Sequence, residues 1–267
     1  MNLQVRSFDA REITSNIDVK NLYHNPVVGF FQSAVSLFIP NGELFFINTL
    51  RSVKSDLNDQ QMQDEIDIFI HQESNHRTIH KLFNRKLFEV DPFLKRVEKE
   101  HLKIVNLDKH IPKKSNLATV CAVEHFTALW CQWMLSNDIN KSANDPGLGK
   151  FMDWHSIEEV EHVQLVGDCA ERLKISYLQK FWGFYMCLWL FLIPMALVFS
   201  FYILRDKRSY SVPGVKNISS FIFGKTGIFS SIVVPFFEIL KPKNQKFSYF
   251  VCQSTLDRVE ASLVQNP

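Results

Sequence analysis

The segment "WHSIEEVEH", residues 154–162, places two histidines and three glutamates within nine positions. In an α-helix, residues three or four positions apart lie on one face, so His155, Glu159 and His162 share a face. Hydrophobic side chains continue that face on both sides: Met152, Val166, Cys169 and Leu173. A helix face that is apolar at both ends is expected to be buried, and buried charged groups require a partner. The segment therefore predicts a polar site inside a helical core.

A second segment, between residues 60 and 88, repeats this pattern. Its core-facing stripe carries Glu73, His76 and His80 in the middle. The rest of the stripe is apolar: Ile66, Phe69, Phe83 and Leu87. A single Glu-x-x-His motif is weak evidence in a chain with nine histidines. Two such motifs, Glu73–His76 and Glu159–His162, on two apolar stripes indicate a shared site.

Two further predicted helices each place one acid on the core-facing stripe. These acids, Glu43 and Glu124, precede the glutamates of the two motifs by 30 and 35 residues. Few Lys or Arg residues lie on the same stripes, and two divalent cations would neutralise all four carboxylates. One Glu from each of two helices, with Glu-x-x-His from each of two others, is a ligand set of dinuclear sites in helical bundles. The predicted ligands are Glu43, Glu73, His76, Glu124, Glu159 and His162.

The remaining polar residues near these motifs receive other roles. His80 is expected to hydrogen-bond to a ligand or line a pocket rather than bind metal, and Glu158 is a second candidate for such an outer role. At least one of Glu158 and Glu161 is expected to be solvated. His125 should point away from the site, into the core or toward solvent.

A third Glu-x-x-His match, Glu98–His101, lies among lysines and is expected to be solvated.

Proline and glycine are sparse and the apolar pattern has a period of three to four, which predicts an all-α fold. Proline or capping residues mark most helix starts. The predicted helices are 27–57 with an interruption at Pro40-Asn41-Gly42, 59–88 after Asn58 or Asp59, 92–107 after Asp91, 116–137 after Ser115, and 146–173 after Asp145. The predicted domains are an arm at 1–25, a metal-binding helical domain at 26–175 and a hydrophobic helical region at 176–267.

Residues 181–204 form 24 positions without a formal charge, a length that can span a bilayer. The alternative to a membrane span is a helix that is buried at the centre of the protein and kinked. Basic residues flank the run on both sides, so charge does not decide a topology. A second, weaker amphipathic stretch at 219–240 is expected to lie on a membrane surface or to cover the first domain. Both the cytoplasmic face of the inner membrane and the cytoplasm remain open as locations.

The composition argues against several classes of protein. The chain is 46% hydrophobic and 22% charged, as in globular proteins. A net charge of +2 with scattered basic residues gives no case for nucleic-acid binding. The five cysteines form no CxxC pair and suit buried, reduced thiols in a cytosolic compartment. The polar N-terminal residues are unlike a secretory signal.

The sequence resembles the bacterial family named "predicted metal-dependent hydrolase". The resemblance rests on "GELFFINTLR" (42–51), "HQESNHRTIHKLFN" (71–84), "VEHFTALW" (123–130), "WHSIEEVEH", and "FIFGKTGIF" (221–229) followed by "KPKNQKF" (241–247). The spacing of His155, Glu159 and His162 is also similar to that of di-iron enzymes of the p-aminobenzoate N-oxygenase type. These resemblances imply a ferritin-like four-helix bundle, two iron ions (manganese or zinc as alternatives), and His155 as a seventh ligand.

Three functions are open at this stage. The first is a di-iron oxygenase that activates O2 to oxidise a small, lipophilic substrate with electrons from a donor protein. The second is a two-metal hydrolase, as the family label says. The third is a non-catalytic metal-binding bundle associated with a membrane. The sequence names neither the substrate nor the oligomeric state.

Overall fold

The computed structural model describes residues 3, 5–6, 8–9, 17–241 and 253–264. Over these residues the chain is helical, apart from turns and one isolated β-bridge between Tyr23 and Ala143. The all-α prediction is therefore confirmed. The predicted likeness at "KPKNQKF" lies almost entirely outside the described residues.

Nine helices of more than one turn are numbered here in chain order over the described residues. They are α1 (Pro26–Lys54), α2 (Gln60–Val90), α3 (Pro92–Val105), α4 (Lys113–Ser136), α5 (Pro146–Arg172), α6 (Tyr177–Arg205), α7 (Val212–Phe223), α8 (Phe229–Leu240) and α9 (Gln253–Val264). The side chains of Asp59, Asp91 and Asp145 cap α2, α3 and α5, as predicted. The predicted start at Ser115 is wrong, because α4 begins two residues earlier, at Lys113.

The predicted interruption at Pro40-Asn41-Gly42 is also wrong, because α1 continues through it. A proline inside a helix leaves the carbonyl four residues earlier without its N–H donor. Here that carbonyl belongs to Ser36, and it accepts a hydrogen bond of 2.8 Å from Nδ2 of Asn84 on α2. The neighbouring helix thus satisfies the group that Pro40 orphans, and the helix does not break.

Helices α1, α2, α4 and α5 pack around a common interior: α1 contacts α2 and α4, and α5 contacts α2 and α4. Large buried side chains fill much of this interior, including Trp130, Trp154, Phe69 and Phe151. The stripes predicted from helical spacing face inward on all four helices, because their apolar members and their polar members are both buried.

Helix α6 lies on the surface of these four helices. Its first half packs against α4 and its second half against α1. The approach to α4 is close: a Cβ built on Gly183 would lie 2.2 Å from the carbonyl oxygen of Ala118. By length and composition, α1 and α6 could each cross a membrane, but the apolar window of α1 is 83% buried and that of α6 is 17% buried.

His101 is buried against α6, so the prediction that it is solvated is wrong. Helix α6 passes through a π-helical turn at Leu188–Leu192, just before Pro194, which has no N–H to donate. His101 Nε2 lies 2.8 Å from the carbonyl oxygen of Leu190, and Asn41 Nδ2 lies 3.1 Å from His101 Nδ1. Since the asparagine amide donates to Nδ1, Nε2 carries the proton and donates to Leu190. His101 is therefore a structural link between α1, α3 and α6.

The segment from α7 to α8 covers the outer side of α4. Trp133 donates from Nε1 to the carbonyl of Thr226 over 2.7 Å, and His125 Nε2 lies 3.4 Å from the carbonyl of Pro235. The 219–240 stretch is thus divided between two helices, and in part it covers the first domain. The division of the chain into an arm, a metal-binding domain and a hydrophobic region stays a prediction.

Candidate metal centre

The seven predicted ligands meet in the interior formed by α1, α2, α4 and α5. Each of the four helices contributes to the group, and every member is at most 2% exposed. The contributing residues are Glu43 from α1, Glu73 and His76 from α2, Glu124 from α4, and His155, Glu159 and His162 from α5. The helical spacing in the sequence therefore brings these residues together, while their role as metal ligands remains a prediction.

Glu73 and Glu159 lie between the two imidazoles of the Glu-x-x-His motifs. Glu73 Oε1 is 2.9 Å from His162 Nδ1 and 3.6 Å from His76 Nδ1. Glu159 Oε1 is 3.5 Å from His76 Nδ1 and 3.9 Å from His162 Nδ1. Each carboxylate thus faces both histidines, so the two motifs form one site.

The other two acids lie at opposite ends of this central pair. Glu124 Oε2 is 3.9 Å from His162 Nδ1. Glu43 Oε1 is 3.9 Å from His155 Nε2, and His155 Nε2 is 3.2 Å from Glu159 Oε1. The site therefore has a Glu43 end, with His76 and His155, and a Glu124 end, with His162.

The donor atoms fit metal ions. Neither carboxylate oxygen of Glu43, Glu73 or Glu124 has a hydrogen-bond partner, nor does Nδ1 of His76 or of His162. Buried polar atoms are nearly always hydrogen-bonded, so this many orphaned atoms facing one another need an explanation. Four overlapping sets of three residues have donor atoms within 4.8 Å of one another, a spacing that can surround a cation. They are Glu43–His80–His155, His76–His155–Glu159, Glu43–Glu73–His76 and Glu73–Glu159–His162.

Without a cation, protons must reduce the repulsion between the carboxylates. Burial, together with the charges of Glu73 and Glu159, raises the pKa of Glu43 and of Glu124 well above 4.5. Burial acts in the same direction on Glu159. There, however, hydrogen bonds from His155 and His76 outweigh it and hold the pKa well below 4.5. The two outer carboxyl groups of the metal-free site therefore keep their protons to a higher pH than a free carboxyl group does, and cations can replace those protons.

Two side chains outside the ligand group fix the tautomers of the motif histidines. His76 Nε2 lies 2.9 Å from Glu158 Oε2, and His162 Nε2 lies 3.2 Å from Gln72 Oε1. Both oxygens accept, so each imidazole donates from Nε2 and keeps the lone pair of Nδ1 directed into the site. Glu158 thus hydrogen-bonds to a predicted ligand, while the outer role predicted for it stays a prediction. Gln72 was missed, although its position one residue before Glu73 could have suggested it.

The prediction that Glu158 or Glu161 is solvated is wrong, because both are buried. Arg6 covers them. It donates its backbone N–H to Glu158 Oε1 over 2.8 Å, and its guanidinium donates to Glu161 Oε1 over 2.7 Å. Its carbonyl accepts a hydrogen bond of 3.1 Å from Trp154 Nε1. Arg6 therefore lies against the outer side of α5 at the centre.

His80 is buried beside the site, and the outer role predicted for it stays a prediction. Its Nδ1 lies 2.8 Å from Ser36 Oγ, and its Nε2 is buried without a hydrogen-bond partner. His80 belongs to a set of three residues, with Glu43 and His155, whose donor atoms lie within 4.8 Å of one another. His125, in contrast, is buried on the far side of α4 and takes no part in the site, as predicted.

Comparison with known proteins gives one match. Residues 5–245 match the family described as "Predicted metal-dependent hydrolase". No curated protein and no solved structure matches the chain significantly. Since the match covers most of the sequence, the chain belongs to the family of predicted metal-dependent hydrolases, and the resemblance seen in the sequence is confirmed. The family description favours the hydrolase alternative and gives no support for O2 activation.

Proposed function

We propose that this member of the metal-dependent hydrolase family is an enzyme with a dinuclear metal centre in a ferritin-like four-helix bundle. The observation that carries the proposal is the group of buried, mutually facing carboxylate and imidazole atoms without hydrogen-bond partners. Maintaining four such carboxylates is costly for a protein that gains nothing from them. Their cost is offset when cations bind.

In this proposal Glu73 and Glu159 would hold metal at the middle of the site. Glu43, His76 and His155 would add ligands at one end, and Glu124 and His162 would add them at the other. The distances from each central carboxylate to both His76 and His162 support this division. Carboxylate oxygens and imidazoles together suit iron, manganese or zinc.

Hydrolysis is the reaction class that the family description supports. Two bound ions would polarise a substrate carbonyl or phosphoryl oxygen and lower the pKa of water. The chain's own part is to hold the donors in place. Glu158 keeps the Nδ1 lone pair of His76 in the site, and Gln72 does the same for His162. Arg6 in turn anchors Glu158.

Oxidation by O2 is the second candidate function, and the enclosure of the site favours it. The donor residues are at most 2% exposed, and aromatic rings surround them. The ring of Phe69 is 4.5 Å from that of His162, and the ring of Trp154 is 4.8 Å from that of His76. O2 is small and apolar, so it reaches such a site more readily than a polar ester or phosphate. This function would use two iron ions, a small lipophilic substrate and an electron donor.

One set of assays separates these functions. Protein purified without oxygen is loaded with Fe(II), Mn(II) or Zn(II) and tested on p-nitrophenyl esters and phosphates. The Fe(II) form is also mixed with O2 while oxygen consumption is recorded. Hydrolysis that is lost in Glu159→Ala but kept in Glu161→Ala supports the first function. Rapid O2 consumption without hydrolysis supports the second. Two bound ions with neither reaction would leave a non-catalytic metal site and contradict both.

A further inference from the structure

His80 is held by a chain of hydrogen bonds that begins at Pro40. Because Pro40 has no N–H, the carbonyl of Ser36 accepts from Nδ2 of Asn84 over 2.8 Å. The amide of Asn84 is thereby oriented, and its Oδ1 accepts from Ser36 Oγ over 2.9 Å. The hydroxyl proton of Ser36 is used in that bond, so Ser36 Oγ can only accept from His80.

This arrangement assigns the tautomer of His80. Nδ1 lies 2.8 Å from Ser36 Oγ and must carry the proton that it donates. Nε2 then has a free lone pair, is fully buried and has no hydrogen-bond partner. His80 offers a donor atom within 4.8 Å of those of Glu43 and His155. An imidazole with one nitrogen donating to a fixed acceptor and the other free is the usual state of a metal-binding histidine.

We propose that His80 is an eighth metal ligand, at the Glu43 end of the centre. The inference rests on the proposed dinuclear centre and deepens it. Three imidazoles, those of His76, His80 and His155, then serve the Glu43 end, and His162 alone serves the Glu124 end. The ion at the Glu43 end is enclosed by protein donors, and the ion at the Glu124 end has fewer of them. Exchangeable ligands and substrate therefore bind at the Glu124 end.

The test compares His80→Ala with His101→Ala, a buried histidine that bonds to Asn41 and Leu190 outside the site. Each variant is loaded with Co(II), and affinity is measured against a chromophoric chelator while the visible spectrum is recorded. We expect His80→Ala to lose at least tenfold in affinity for one of two ions, and added imidazole to restore the spectrum by entering the vacated space. Ser36→Ala should weaken the binding of the same ion by about 10-fold.

The outcomes separate His80 from the rest of the centre. If His80→Ala binds two Co(II) ions as tightly as the wild type and imidazole has no effect, the assignment of His80 is wrong while the dinuclear centre stands. If the wild-type protein itself does not bind two ions, the proposed function fails first. If His80→Ala and His101→Ala lose Co(II) affinity equally and imidazole does not restore it, general destabilisation explains the loss, and the assignment of His80 is overturned.

A separate observation concerns the outer face of α6. Its inner stripe packs on the domain through Phe184, Cys187, Phe191 and Val198, which are buried. The opposite stripe recurs at helical spacing and is exposed over the whole length of the helix. It consists of Leu178, Trp182, Tyr185, Trp189, Ile193 and Leu197. Leu178 is 79% exposed and Leu197 is 66% exposed, which is unusual for large apolar side chains in a continuous row.

The charge of the chain segment that carries this stripe favours a lipid surface. Residues 174–240 contain seven Lys or Arg and two acidic residues, although the net charge of the whole chain is only +2. Lys207, Lys216 and Lys225, which follow the stripe in the sequence, are exposed. An excess of basic side chains in a segment with exposed Trp, Tyr and Leu is typical of protein surfaces that contact anionic headgroups and the outer acyl chains.

We propose that the outer stripe of α6 lies in the plane of an anionic membrane surface and does not cross the membrane. A spanning helix would need lipid or other helices on all sides. The inner stripe of α6 already packs against α1 and α4. The charged helix α3 packs against α1 in turn, so lipid cannot surround α6. The membrane association predicted from residues 181–204 is thereby assigned to one face of the helix.

Flotation of the full chain with lipid vesicles tests this surface. We expect binding to vesicles that contain phosphatidylglycerol, weaker binding to phosphatidylcholine alone, and at least a tenfold loss in Leu197→Glu. Leu107→Glu, which changes an exposed leucine outside the stripe, should bind like the wild type. Absence of flotation, equal flotation of Leu197→Glu, or a dimer that Leu197→Glu dissociates would each overturn the proposal. Resistance of the cell-membrane-bound chain to alkaline extraction would indicate a span instead.

Discussion

His76 and Glu158 are joined by a 2.9 Å hydrogen bond between Nε2 and Oε2, at positions that are both shielded from solvent. The bond leaves Nδ1 of His76 as the only nitrogen available to the centre. A carboxylate behind a ligand histidine fixes the ring and makes its free nitrogen a stronger donor. The identity of the residue at position 158 should therefore control metal affinity even though it offers no atom to the metal.

We predict that Glu158→Gln lowers the affinity for one metal ion by about 10-fold, because an amide is a weaker acceptor than a carboxylate. Competition with a chromophoric chelator measures the change. Glu161→Gln is the matched control, since it lies on the same helix and pairs with Arg6 rather than with a ligand. Equal effects of the two substitutions would show that Arg6, and not the bond to His76, is responsible.

Substitution of Glu124 should change stability in opposite directions with and without metal. In the metal-free protein both carboxylate oxygens of Glu124 are buried without hydrogen-bond partners, so Glu124→Gln should raise the free energy of unfolding by about 1–2 kcal/mol at pH 8. With metal bound, the same variant should be less stable than the wild type. Thermal unfolding with chelator and with added metal measures both. Glu100→Gln, at an exposed position, should change the stability in neither condition. A change of stability in the same direction with chelator and with metal for Glu124→Gln would contradict the prediction.

Stability and metal affinity should depend on pH above 6.5. Burial lowers the pKa of His76, but the hydrogen bond to Glu158 and the nearby carboxylates of Glu159 and Glu73 outweigh it and raise the pKa well above 6.5. The metal-free fold then holds more protons than the unfolded chain, so its free energy of unfolding falls as pH rises through the raised pKa. Burial lowers the pKa of His80 and of His155, so their contribution to stability rises until pH passes the unfolded-state value of 6.5 and is constant well above it.

Metal binding should release the stored protons, and affinity should therefore increase with pH. Urea unfolding in the presence of chelator measures the fall in stability between pH 6.5 and 9. Calorimetric titration in two buffers of different ionisation enthalpy measures the released protons. Binding without proton release would show that the donors are already deprotonated in the metal-free protein.

Two glycines form a matched pair for the packing of α6 on α4. Gly183→Ala places a Cβ 2.2 Å from the carbonyl oxygen of Ala118, and should cost about 1–3 kcal/mol of stability. Gly167→Ala on α5 meets nothing within 4 Å, and should stabilise by about 0.5–1 kcal/mol because alanine favours the helix. Urea unfolding of both variants gives the comparison. A stable Gly183→Ala would mean that α6 packs elsewhere.

The sequence was sufficient to predict the helices and the residues that meet at the centre. Both follow from the 3.6-residue period, which places Glu73 and His76, or Glu159 and His162, on the buried side of a helix whatever its neighbours are. The prediction did not require knowledge of how the helices are arranged.

The errors arose where a group on another helix decides the outcome. Pro40 does not break α1 because Asn84 supplies the missing donor, and His101 is buried because the carbonyl of Leu190 on α6 accepts from it. The orientation of His80 and the role of Gln72 depend on ring tautomers set by tertiary contacts. Helical spacing alone contains no information on such partners, so these features became visible only in the structure.

Metal content per chain tests the central claim most directly. Protein purified without oxygen and reconstituted with Fe(II) or Mn(II) should hold two ions per chain, and Glu73→Ala should hold fewer than one, because Glu73 faces both motif histidines. Elemental analysis together with protein quantification gives both values. A wild-type chain that binds fewer than one ion, or a Glu73→Ala chain that still binds two, would contradict the dinuclear centre.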